Sequence, residues 1–266
     1  MTGPIALVIA VLVAMTLTMT VSWAVQRAVA NGGWTDVFWT FGTGVSLALA
    51  AVATTGGTRW RSILVAAMVA LWSLRLGVYV MRRVAGGPED ARYAQFRREW
   101  GPAFQKHMLG LSLVQGPASA LLAISVVLAA RAPGAGVEAG DVVGAAILAL
   151  AVGGEALADS QMKRFKADPA HHGQVCEAGL WAWSRHPNYF FEWLGWCAYP
   201  AIAVRLGEPW TWASLAAPVL MFALLRFSSG VPPLEAAMLR STGEAYRRYQ
   251  ARVSPMFPFP PKRAAQ

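Results

Sequence analysis

Residues 4–25 read PIALVIAVLVAMTLTMTVSWAV, a run without one charged side chain. About 20 such residues in a helix cross the ~30 Å hydrocarbon core of a bilayer. Ala28-Val29-Ala30, just behind the run, has the small-residue pattern of a signal-peptidase site. The run is too long for a signal-peptide core and no Lys or Arg precedes it, so the reading is a retained first span.

Six further apolar runs follow, at 37–53, 62–81, 111–130, 142–162, 189–205 and 210–227. The expectation is an all-α polytopic membrane bundle of about seven transmembrane helices, one domain over 1–266. Composition agrees. The chain is 56% hydrophobic and 14% charged, against about 25% charged in soluble domains. The net charge of +9 sits between the apolar runs, where it sets topology and can hold anionic ligands. Nucleic acid is therefore not an expected partner; membrane lipid is. Cys176 and Cys197 have no metal-binding spacing, and no HExxH is present, so neither a disulfide framework nor a metal site is expected.

Basic residues follow the third run (Arg82, Arg83, Arg92, Arg97, Arg98, Lys106), the fifth (Lys163, Arg164, Lys166, Arg185) and the seventh (Arg240, Arg247, Arg248, Arg252, Lys262, Arg263). Seven spans put all three regions on one side, and the positive-inside rule makes that side cytoplasmic. The N-terminus is then outside. Arg59 and Arg61 dissent from this assignment. The Gly/Ala-rich stretch 131–141 reads as a short outside connection. Residues 234–249 read as a short interfacial helix, ended by Pro255, Pro258, Pro260 and Pro261.

Ionisable groups at membrane depth are costly and face a cavity or a partner. Arg75 lies mid-span, with Tyr79 one turn later. Asp36 opens the second run beside Trp39. Glu155 and Asp159 are one turn apart, and Lys163 and Lys166 continue their face. Two acids so placed repel unless a cation or hydrogen-bond donors hold them. The bland readings are a helix-dipole role for Asp36, snorkelling for Lys163 and Lys166, and a stop signal for Arg226. Arg185-His186-Pro187-Asn188-Tyr189 puts two basic groups and an amide at a helix mouth, where free N–H groups favour anions. That chemistry suits a phosphate or an adenosine.

Glu155-x-x-x-Asp159-x-Gln161, Gly179-Leu180-Trp181 and Ser184-Arg185-His186-Pro187-Asn188-Tyr189 with Glu192 resemble the membrane steroid 5α-reductase superfamily, in particular its bacterial branch. Glu89-Asp90-x-Arg92-Tyr93, Ser229-Gly230-Val231-Pro232-x-Leu234-Glu235 and Tyr246-x-x-Tyr249 resemble the same branch. The resemblance implies a seven-span reductase of the bacterial inner membrane, a monomer, that uses NADPH to reduce the C4=C5 bond of a 3-oxo-Δ4 steroid or related enone. It implies a substrate side over 1–110, with its basic loop, and a cofactor side over 111–266. Asn188, Glu192 and Trp196 would surround the cofactor, with Arg185 and His186 beside them. Glu155 and Asp159 would hold its adenosine and ribose, and Lys163, Lys166 and Arg226 its phosphates. Where the animal enzymes place a catalytic Tyr, this chain has Trp72. Asp36 and Tyr79, with Arg75, then become the catalytic candidates, and Trp39 and Trp72 substrate contacts. A buried, protonated Asp36 would donate to the substrate carbonyl. No GxGxxG motif follows a strand, so the nicotinamide site would not be a Rossmann one.

Arg-His-Pro-x-Tyr also resembles membrane methyltransferases of the isoprenylcysteine or phospholipid type, which use S-adenosylmethionine; the acid pair, Asn188 and the two extra N-terminal spans favour the reductase. A transporter is a third reading, without the internal repeat expected of one.

Overall fold

A computed structural model describes residues 3–262. Twelve α-helices run through them: α1 Pro4–Ala28, α2 Trp34–Ala53, α3 Arg59–Ala85, α4 Ala91–Trp100, α5 Phe104–Leu113, α6 Gln115–Arg131, α7 Ala139–Ala167, α8 Pro187–Trp196, α9 Ala198–Ala203, α10 Ala216–Ala223, α11 Val231–Thr242 and α12 Glu244–Arg252. No strand occurs among the described residues, only an isolated bridge between Ser184 and Ser254. Six stretches are long and apolar enough to cross a membrane: α1, α2, α3, Ala91–Arg131, α7 and Pro209–Thr242. The molecule is an all-α polytopic bundle.

The run expected to span at 189–205 is divided into α8 and α9. Pro200 is the cause. It has no N–H to donate to the carbonyl of Trp196, and Cys197 N donates three residues back to Leu194 O (3.0 Å). The basic stretch after α3 is not a loop but α4 and α5. The C-terminal helix exists, yet it breaks at Gly243, whose φ of +53° favours glycine.

The described chain forms two compact units, Met1–Ala145 with Ala198–Leu220 and Ala146–Cys197 with Met221–Gln266. In the first, α2 packs on α3 through small residues. A Cβ on Gly44 would collide with Ser73 Oγ, and one on Gly77 would meet the Phe41 ring at 2.6 Å. Val37, Val80 and Val84 form the adjoining core. A charged pin closes one end. Arg61 is fully buried; its guanidinium donates to Asp141 Oδ1 (2.7 Å) and Oδ2 (2.8 Å) and to the carbonyls of Ala132 (2.5 Å) and Pro133 (2.9 Å). Arg205 donates to Glu138 (2.5 Å) beside it. Arg59 donates to Val52 O (2.8 Å). The two arginines that dissent from the charge pattern are thus tied to the protein itself.

In the second unit, α7 lies against α8. A Cβ on Gly154 would collide with the Phe191 ring, and the Cβ of Ala151 lies 3.5 Å from one built on Gly195. Leu224–Ser228 forms a π-helical turn, closed by Ser229 N donating to Leu224 O (2.9 Å).

Candidate functional site

The acid pair of α7 is buried: Glu155 is 6% exposed and Asp159 7%. Both are held inside the second unit, at membrane depth in an apolar helix, where an acid needs a partner. The same helix anchors the segment leading to α8. Trp181 Nε1 donates to Ala158 O (3.0 Å), and Leu180 N donates to Gln161 Oε1 (3.0 Å). Gly179, at φ +60°, permits this approach, since a Cβ there would lie 2.5 Å from Gln161 Nε2.

Pro187 then begins α8, a favoured place for proline because the first N–H of a helix needs no intrahelical partner. One face presents Asn188, Glu192 and Trp196 at four-residue spacing. Trp196 Nε1 donates to Glu192 Oε1 (3.0 Å), with both side chains buried. Asn188 Oδ1 is buried without a hydrogen-bond partner, an acceptor fitted to an amide N–H. Lys163 and Lys166 are exposed beyond Asp159 on α7. Arg226 lies in the π-helical turn with its guanidinium 5.2 Å from the Phe227 ring centroid.

Two expectations for this helix mouth need correction. Arg185 is not available to a phosphate. It donates to Glu235 Oε1 (2.6 Å), Gln250 O (3.0 Å) and Val253 O (2.5 Å), so its charge is matched by a carboxylate and its fork is filled by the C-terminal segment. His186 is 4% exposed, with Nε2 3.3 Å from Glu235 Oε1. Burial pushes its pKa below the ordinary histidine value; Glu235 opposes this, while Arg185 and Arg226 reinforce it. His186 is neutral near pH 7 and offers no cation to an anion. Around them Ser184 Oγ donates to Met256 O (2.7 Å), and Tyr249 OH to Trp181 O (2.5 Å). Arg-His-Pro-Asn therefore divides at Pro187: the first half clamps the tail, and the second faces α7. Glu235, Gln250 and Val253 were missed as partners of Arg185 because nothing in their spacing shows that the tail returns to residue 185. A cavity of about 290 Å³ lined by Arg185, Arg252, Phe259 and Lys262 shares only Arg185 with the candidate residues.

In the first unit, Trp39 and Trp72 meet edge to face, with centroids 6.1 Å apart, and Trp39 Nε1 donates to Ser119 Oγ (3.2 Å). Arg75 lies over the Tyr79 ring at 5.6 Å. Asp36 is corrected. Its Oδ2 accepts from Arg92 Nη2 (2.8 Å) and its Oδ1 from Tyr93 OH (2.8 Å). Both oxygens are acceptors in an ion pair, the arrangement of an ionised carboxylate rather than of a proton donor. Arg92 also donates to Asp90 (3.2 Å), the cap of α4. Asp36 thus ties α4 to α2. Tyr93, 3% exposed, is the partner that a motif of adjacent residues gave no reason to assign.

The model of the family described as a protein of unknown function, DUF1295, matches residues 22–253. The chain belongs to this family. That placement is consistent with the steroid 5α-reductase-like superfamily. No curated protein matches the chain, and no solved structure does. For a DUF1295 protein, the match takes in every candidate residue named above, from Asp36 to Arg226, and the tail clamp up to Val253.

Proposed function

We propose that this DUF1295 protein is an integral membrane reductase that uses NADPH to reduce the C=C bond of a 3-oxo-Δ4 steroid or a related hydrophobic enone. The observation that carries the reading is the buried Glu155–Asp159 pair on α7, packed beside the helix that presents Asn188, Glu192 and Trp196. Hydroxyl-accepting carboxylates suit a ribose, and the unpartnered Asn188 Oδ1 suits a carboxamide N–H. Lys163, Lys166 and Arg226 supply positive charge for phosphates. When bound, the nicotinamide supplies the hydride. The protein's part is to exclude water and to hold a donor at the substrate carbonyl, where negative charge develops as the β-carbon is reduced. With Asp36 ionised in its pair with Arg92, that donor is the Tyr79 hydroxyl, with Arg75 beside its ring. In a seven-span topology, with the run at 189–205 as the sixth crossing, the basic segments are cytoplasmic, and the N-terminus is outside in a bacterial inner membrane.

The test is direct. Purified protein should be stabilised against heat by NADPH and not by S-adenosylmethionine, since only a ligand of the folded state shifts its melting temperature. Given testosterone or progesterone it should consume NADPH and yield the 5α-dihydro product. Stabilisation by S-adenosylmethionine alone would move the site to the methyltransferase class.

A further inference from the structure

Among the described residues, four fully buried side chains of the first unit hold a polar atom that no hydrogen bond reaches: Ser22 Oγ and Gln26 Oε1 on α1, Thr35 Oγ1 on α2 and Ser112 Oγ on α5. One such atom is costly, and four in one region call for a physical account.

The helix pairing brings them together. Ser22 and Gln26 are one turn apart on the buried face of α1. Gln26 Nε2 donates to Gln105 Oε1 (2.8 Å), and Trp23 Nε1 to Gln105 O (3.0 Å). A Cβ on Gly116 would meet Thr16 Oγ1 at 2.7 Å. The segment from Gln105 to Gly116 therefore runs antiparallel to α1, and Ser112 falls opposite the turns between Thr16 and Gln26. On the other side, Asn31 N donates to Gln26 O (3.1 Å) in the tight connection to α2. A Cβ on Gly42 would meet Thr18 at 2.7 Å, and Gly42 lies seven residues, nearly two full turns, beyond Thr35. Thr35 thus shares the α2 face that meets α1.

We propose that these four atoms line an internal water site, and that it continues as a hydrated file through the first unit. A buried water makes two to four hydrogen bonds to groups of this kind. All four groups are neutral, which fits water rather than a cation. Outward the file reaches half-buried Gln105. Inward it follows Thr35, Trp39 and Thr43 along one face of α2, about 12 Å at the helical rise. It ends where Ser119 Oγ meets Trp39 Nε1 (3.2 Å) and Thr43 Oγ1 (3.0 Å), beside the Trp39–Trp72 pair. On the reductase reading, the file has a chemical task. Reduction of the enone consumes one hydride at the β-carbon, and NADPH becomes NADP⁺. The resulting enolate takes one proton at the α-carbon. The file supplies that proton, and bulk water at Gln105 replaces it.

The closing experiment does not depend on the reaction. X-ray pulses split bound water into hydroxyl radicals that oxidise neighbouring methionines. Met15, Met19, Met108 and Met256 are all fully buried. Met19 is one turn from Ser22 and Met108 one turn from Ser112, whereas Met256 belongs to the tail clamp. In intact protein in lipid nanodiscs, Met19 and Met108 should oxidise roughly tenfold faster than Met256. The Gln26→Leu/Thr35→Val variant should lose most of that difference. Equal, slow oxidation of all three methionines in the unmodified chain overturns the file, whether or not an enone is reduced. Fast oxidation without any enone reduction supports the water site and removes the reductase reading. With turnover, the same variant should lower kcat and leave the Kd for NADPH unchanged; an unaltered kcat overturns the proton role.

Discussion

Arg61 has no exposed surface, so its five acceptor atoms, on Asp141, Ala132, Pro133 and Gly136, stand in for water. Breaking such a pair leaves a buried charge and costs roughly 3–5 kcal/mol. Arg61→Met and Asp141→Leu should each lower the melting temperature sharply, and the double variant should recover most of the loss, as a double-mutant thermal series would show. Asp36 and Tyr79 separate two roles in the same way. Asp36→Asn should weaken the tie to Arg92 and Tyr93 and lower stability, while kcat per folded molecule stays near its parent value. Tyr79→Phe should do the reverse, lowering kcat by about 10²-fold with melting unchanged. His186 gives a pH dependence. Burial holds its folded pKa below the ordinary value of about 6.5, so the unfolded chain takes up a proton first as pH falls. Stability is then full above about pH 6.5 and declines below it, toward the folded pKa. His186→Gln should flatten that decline in melting curves taken between about pH 8 and 5. The sequence displayed these residues but not their partners. Asp36 at the head of an apolar run signals only an acid in need of an explanation; that Arg92 and Tyr93 answer it depends on α4 folding back.

Among elements, the helices themselves were legible because apolar runs of about 20 residues leave few alternatives. What was not legible is continuity. Pro200 lies inside an apolar run, and periodicity alone does not say whether the chain bends around a proline or divides at it. The helical nature of 91–113 was hidden by its charges, since its buried face consists of Tyr93, Phe104 and Met108 at wide spacing. The α7–α8 contact rests on Gly154. Gly154→Leu would drive a side chain into the Phe191 ring and part the two helices, at a cost typical of overpacking, about 1–3 kcal/mol. NADPH binding, read by fluorescence or by mass of the bound nucleotide, should fall more than tenfold, because Asp159 and Asn188 lie on the helices that are separated. Retained binding in a folded Gly154→Leu variant would show that this helix pair does not form the nucleotide site.

Over the whole molecule, the C-terminal segment is structural. Arg185, Ser184 and Tyr249 spend their polar groups on contacts that join residues 181–185 to residues 235–256, and Ser254 O accepts from Arg185 N (2.9 Å). Ending the chain after Arg252 would take Val253 O from the Arg185 guanidinium, Ser254 O from its backbone N–H and Met256 O from Ser184 Oγ. Such a truncation should reduce the folded yield severely, as size-exclusion profiles of it and of the full chain would show. The bundle class could be read from composition; this return of the tail could not, because it joins positions about 70 residues apart through backbone carbonyls, which no side-chain pattern announces.

The wide turn at Leu224–Ser228 has an implication for chain length. A five-residue closure holds one residue more than an α-helical turn requires. Deleting Phe227 would let the backbone close with ordinary four-residue spacing and keep its hydrogen bonds. Each residue removed, however, swings the downstream chain by about 100° around the helix axis. A one-residue deletion here would therefore be cheap for the helix and ruinous for direction, turning α11, and Glu235 with it, away from Arg185.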